Sequence, residues 1–128
     1  MKTYLWASVL CVLIAQPVAA QTMLEMQSWC EPVSAAQVRG DGMIKFPQTK
    51  ETISCWSAFG AIQELSNIIP EKDAKPLLGF CAPEQSTTLQ FIKVFLRYAA
   101  NHPERMQDGF GRGALWSLTD AFPCSGKH

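Results

Sequence analysis

The chain has 128 residues with eleven Lys/Arg balanced by eleven Asp/Glu, 48% hydrophobic residues and five cysteines. That is the size of one small domain. With no net charge there is no basic field to attract nucleic acid or anionic lipid.

The first twenty residues have the pattern of a secretory signal. Lys2 supplies a short positive start, and Tyr4 to Ala15 form an apolar run interrupted only by Ser8. Gln16-Pro17 then breaks the run, and Val18-Ala19-Ala20 offers the small residues that signal peptidase accepts, which places cleavage before Gln21. A spanning helix wants about 20 unbroken apolar residues, so a membrane anchor is not expected. Cys11 follows Leu10 rather than a small residue and does not resemble a lipidation site. Removing twenty residues from 128 leaves 108, with four cysteines: Cys30, Cys55, Cys81 and Cys124. An even number in an exported chain implies two disulfides in an oxidising compartment. No Cys-x-x-Cys pair is present and His102 and His128 are the only histidines, so neither a metal site nor a cofactor is expected.

The mature chain predicts an all-α fold, a small disulfide-stapled bundle of about four helices over residues 21–128. Thr22 and Glu25 form a capping box for a first helix, with Met23, Leu24, Met26 and Trp29 following and Glu31-Pro32 ending it. Residues 33–50 are irregular, with Gly40-Asp41-Gly42 as turn chemistry. A second helix is expected from near Thr52 to about Asn67, with Cys55, Phe59, Ile62, Leu65 and Ile69 along one face. Pro70 stops it, and a connection from Glu71 to Glu84 tucks Leu77, Leu78 and Phe80 against the core.

Thr87 and Gln90 make a second capping box, and Leu89, Ile92, Phe95, Leu96 and Ala99 give the third helix a buried stripe. Asn101-His102-Pro103 punctuates the chain. Proline suits the first turn of a helix, so a fourth helix is expected from about Glu104 to Phe122, folding back on the third. Gly109, Gly111 and Gly113 fall in its first half, which implies a break or a close approach of backbones. An antiparallel hairpin returns Cys81 and Cys124 to one end of the bundle, and Cys30 lies near Cys55 across the first connection. Of the three pairings four cysteines allow, this favours Cys81 with Cys124 and Cys30 with Cys55, each worth about 3 to 4 kcal/mol in the chain-entropy model.

Phe80-Cys81-Ala82-Pro83, Phe95-Leu96-Arg97-Tyr98, His102-Pro103-Glu104, Ala114-Leu115 and Ala121-Phe122-Pro123-Cys124 together resemble the Rap/Tai family of small periplasmic immunity proteins. Upstream, Cys55 resembles the start of that family's Cys-x-x-Tyr-x-x-Gly segment and Cys30 its earlier cysteine. This chain has Ala58 and Ala61 where the tyrosine and glycine are usual. The resemblance implies a helical domain that binds and blocks a toxin delivered by type VI secretion, typically a peptidoglycan amidase.

No catalytic set accompanies it. His102 has a structural role at a helix junction, Glu104 and Asp108 are solvated charges one turn apart, and an even cysteine count leaves no nucleophilic thiol. Contact residues of an inhibitor are expected on exposed connections and helix ends: Glu71, Lys72, Asp73 and Lys75 in the second connection, and Arg105, Gln107, Asp108 and Arg112 along the fourth helix. Trp29, Trp56 and Trp116 suit core, interface or an apolar cleft. They leave open a homodimer that hides such surface, and an acid-stress chaperone or carrier with no toxin partner. The intact mass of exported protein is expected to match a chain beginning at Gln21; a mature species retaining Met1 to Ala20 would contradict the signal reading.

Overall fold

A computed structural model describes residues 20–69 and 75–125, so most of the expected signal lies outside it. Four α-helices are described: α1 (Met23–Ser34), α2 (Lys50–Ser66), α3 (Thr88–Asn101) and α4 (Phe110–Ala121). A two-stranded antiparallel hairpin, β1 (Gln37–Val38) with β2 (Ile44–Lys45), lies between α1 and α2. The fold is the expected disulfide-stapled helical bundle, and α3 packs against each of the other three helices.

The expected capping box starts α1: Thr22 Oγ1 accepts from the Glu25 N–H at 3.2 Å and the Glu25 carboxylate accepts from the Thr22 N–H at 2.9 Å. Two further N–H groups of that first turn find remote acceptors. Met23 donates to the Asp108 carbonyl at 2.9 Å and Leu24 to the Met106 carbonyl at 3.0 Å. The helix does not stop at Glu31-Pro32 but carries Pro32 inside its last turn. Proline there removes one hydrogen bond, while continuing the helix buries Val33 completely.

The irregular stretch contains the small hairpin. Its turn uses the glycine-rich segment as expected: Gly42 has φ +80° and donates to the Arg39 carbonyl at 2.9 Å, and Asp41 Oδ1 accepts from Met43 N–H at 3.0 Å.

Helix α2 begins two residues before the expected start, because Thr49 and Thr52 form a capping box of their own. Cys55 and Phe59 are fully buried, but the rest of the expected stripe is not: Leu65 and Ile69 are exposed, and Ile69 lies beyond the helix. A polar tie holds this end of α2 instead. Gln63 donates to the Ser86 carbonyl at 2.7 Å and accepts from the Thr88 hydroxyl. Of the three residues expected to tuck in from the second connection, Phe80 is fully buried and Leu78 half-buried, while Leu77 is exposed. The Leu77 N–H pairs with the Ile68 carbonyl at 3.2 Å, which keeps its backbone at the surface edge of α2.

Helix α3 starts at the Thr87–Gln90 capping box and buries Leu89, Ile92, Phe95 and Ala99 as expected, with Phe91 besides. The continuous fourth helix from Glu104 does not form. Pro103–Arg105 makes one 3-10 turn, and α4 starts only at Phe110 with Gly109 extended before it. The segment between is held by α1: Gly109 bridges Thr22, and the Phe110 N–H donates to the Gln21 carbonyl at 2.8 Å. The expectation of close approach also holds, at Gly113, where a Cβ would collide with the Met23 thioether.

Both favoured disulfides are present, Cys30–Cys55 with Cα atoms 5.4 Å apart and Cys81–Cys124 with Cα atoms 4.9 Å apart. The first is buried in the core; the cysteines of the second lie at the surface.

Two glycine substitutions should move stability in opposite directions. Gly113→Ala gains helix propensity but overpacks against fully buried Met23, an expected net loss of about 1 to 3 kcal/mol. Gly60→Ala in mid-α2 meets nothing within 4 Å and should gain about 0.5 to 1 kcal/mol. Denaturant titration reads both signs; equal effects would contradict the packing at Gly113.

Candidate protein-binding face

The residues with the most distinctive surface chemistry lie on α3, α4 and the turn between them. At the end of α3, the Tyr98 and His102 rings stack with centroids 4.1 Å apart, one helical turn separating them. His102 ends α3 and begins the 3-10 turn, the junction role expected of it. Its Nδ1 lies 3.0 Å from Glu104 Oε1, an imidazole N–H donating to the carboxylate. Three residues after His102 the chain presents Arg105, whose guanidinium lies 4.2 Å over the Trp116 ring of α4. Arg112, one turn before Trp116, places a second guanidinium 5.6 Å from the same ring. Tyr98, His102, Arg105, Trp116, Asp120 and Pro123 line a groove of about 540 Å³.

The groove is held at its far end by the closing disulfide. Cys81 N–H donates to the Phe122 carbonyl at 2.8 Å, the Cys81–Cys124 bridge lies beside it, and the Phe122 ring packs 5.8 Å from Phe91 of the core. Pro123 therefore cannot swing away from α3 while the bridge is closed.

Glu104 is fully exposed, yet its carboxyl lies below the ordinary glutamate value. The largest cause is a backbone hydrogen bond within its own residue, followed by the His102 side chain.

The structure brings together two of the expected contact residues, Arg105 and Arg112, over one tryptophan. Only Arg112 lies on a helix as expected. Arg105 belongs to the 3-10 turn, and Gln107 and Asp108 to the bend that follows it, since the helix starts at Phe110. Gln107 is exposed, whereas Asp108 is half-buried and its carbonyl serves α1. Glu104 and Asp108 consequently do not share a helical face. Lys75 is exposed, and Glu71, Lys72 and Asp73 lie outside the described residues. Trp29 and Trp56 pack against the core; Trp116 is half-buried beneath its arginines. Sequence reasoning did not join Tyr98 to His102 or Arg112 to Trp116, although both pairs have i, i+4 spacing. Among the described residues, no group of three or more His, Cys, Asp or Glu is placed to hold a metal ion.

A cross-linked helical scaffold with two arginines over one tryptophan on an open face has the surface chemistry of a small binding domain. The profile of the Rap1a immunity proteins matches residues 57–124, more than half of the chain, and the protein belongs to that family. No curated protein and no solved structure matches it.

The Glu104 carboxyl should titrate with a midpoint below the ordinary glutamate value, as read by its side-chain carbon shift. His102→Ala should raise that midpoint only in part, because the larger, backbone cause remains. A depressed carboxyl contributes stability that is present above its unfolded value and lost as pH falls through the folded one. Full restoration on His102→Ala would contradict this ranking.

Proposed function

We propose that this protein is exported to the periplasm and there binds and inhibits a peptidoglycan amidase delivered by type VI secretion. The observation that carries the reading is the family match over residues 57–124. That stretch includes α3, α4 and the closing Cys81–Cys124 bridge. Two disulfides suit an oxidising compartment, and the signal pattern of residues 1–20 would deliver the chain there. No described helix is long and apolar enough to cross a membrane.

In this reading the protein acts stoichiometrically, without a cofactor, by covering the toxin's active site. Specific inhibitors of this kind bury roughly 1,200 to 2,000 Å² in total. Contacts come from Arg105, Gln107, Asp108 and Arg112, and from the connection that carries Glu71, Lys72, Asp73 and Lys75. Exposed Leu65, Ile68, Ile69 and Leu77 support a homodimer or the chaperone reading, since each leaves apolar surface uncovered. Dye binding from neutral to acidic pH separates these: a sharp rise on acidification favours the chaperone.

Cells producing the cognate peptidoglycan amidase in their periplasm should be rescued by the full chain and not by one lacking residues 1–20. A copy without the signal would meet neither the oxidising compartment nor the toxin. Equal rescue by both forms would contradict periplasmic action, and rescue by neither would contradict immunity.

A further inference from the structure

The cations of the α3–α4 face are arranged to receive carboxylates from outside. Among the described residues, Lys93, Arg97 and Arg112 have no carboxylate within 4.0 Å. Arg105 has only Glu104, at 3.8 Å, and that carboxylate already accepts from His102. The guanidiniums of Arg105 and Arg112 are instead held against Trp116. Each guanidinium carbon lies near the ring, at 4.2 Å for Arg105 and 5.6 Å for Arg112, which leaves guanidinium N–H groups available for paired hydrogen bonds with an incoming carboxylate. The chain as a whole has no net charge, so this clustering is local. Asp120 is the acidic residue lining the groove.

We propose that the Trp116 face receives an acidic segment of a partner protein, with Arg105 and Arg112 gripping its carboxylates and the Tyr98–Trp116 groove taking an adjoining side chain. The partner's identity as the toxin rests on the immunity reading; the chemistry of the face does not. Tryptophan, tyrosine and arginine are the residues that most often dominate binding energy at protein interfaces. Here the Arg105 guanidinium already lies 4.2 Å over the ring, so less of its side-chain freedom remains to be lost on association. Unpaired cations at a groove rim also accelerate encounter with an acidic surface, an effect that salt suppresses.

The test has two arms that fail separately. In the first, a deca-glutamate peptide is titrated at low salt into the oxidised protein, and amide, indole and arginine Nε shifts are followed. The expected shifts centre on Trp116, Arg105 and Arg112. They disappear in R105E/R112E and persist in K45E/K50E, which makes the same charge change on β2 and at the start of α2. No shift in the wild type, or equal loss in both double variants, overturns the proposal.

The second arm measures association with the cognate peptidoglycan amidase of the immunity reading at two salt concentrations. R105E/R112E should associate about tenfold more slowly and with weaker salt dependence, while K45E/K50E stays within about twofold of wild type. Unchanged association in R105E/R112E overturns the acidic-segment proposal and leaves immunity standing. Failure of the wild type to bind, beside a positive peptide arm, overturns the toxin reading and leaves the face standing. Circular dichroism verifies folding; should the double variant unfold, exposed Arg112→Glu alone serves both arms.

Discussion

Three phenylalanine rings hold the bundle at its centre. Phe59 of α2, Phe95 of α3 and Phe110 of α4 contact one another pairwise, with centroid separations of 5.4, 5.7 and 5.4 Å. Each such pair adds about 0.5 to 1.5 kcal/mol beyond the area it buries. Because the rings come from three helices, the cluster fixes their mutual positions rather than strengthening one element. A second aromatic run, Phe80 to Phe91 to Phe122, extends this core to the closing disulfide. The Trp116 face inherits its geometry from both: α3 and α4 are set by the phenylalanines, and the groove end by the bridge.

The two disulfides act on this core differently. Cys30–Cys55 lies inside it and joins α1 to α2, next to Phe59 in sequence and equally inaccessible. Cys81–Cys124 lies at the surface and closes the segment from the start of the α3 connection to the end of α4. For a small domain whose core can supply only modest net stability, such cross-links contribute chiefly by restricting the unfolded chain. That arrangement suits the proposed role in an oxidising compartment.

Local signals were legible in the sequence, and remote ones were not. The Thr22–Glu25 and Thr87–Gln90 boxes announced two helix starts because every participant lies within three residues. The Thr49–Thr52 box was harder to see, since threonine replaces the usual Glu or Gln as the returning partner. Gly109, Gly111 and Gly113 signalled a break or a close approach, but not that a break would fall before Phe110. Met106 and Asp108 carbonyls are drawn out of a helical path by the N–H groups of α1, more than eighty residues earlier in the chain. Hydrophobic spacing likewise placed Leu65 and Ile69 on a face whose cover does not reach them, because periodicity reports a face without reporting where its cover ends. At the candidate face, Arg105 and Arg112 were singled out only as exposed charge; their convergence depends on the chain reversing between α3 and α4.

The immunity reading asks this scaffold to present an ordered surface to a partner. The most direct measurement is a titration of a purified type VI-delivered peptidoglycan amidase, the class proposed as its target, with the oxidised protein, following hydrolysis of peptidoglycan. A linear fall to complete inhibition at one inhibitor per active site, lost when the disulfides are reduced and alkylated, is the result expected of a disulfide-ordered immunity protein. Undiminished hydrolysis at a several-fold excess of the oxidised protein would contradict it.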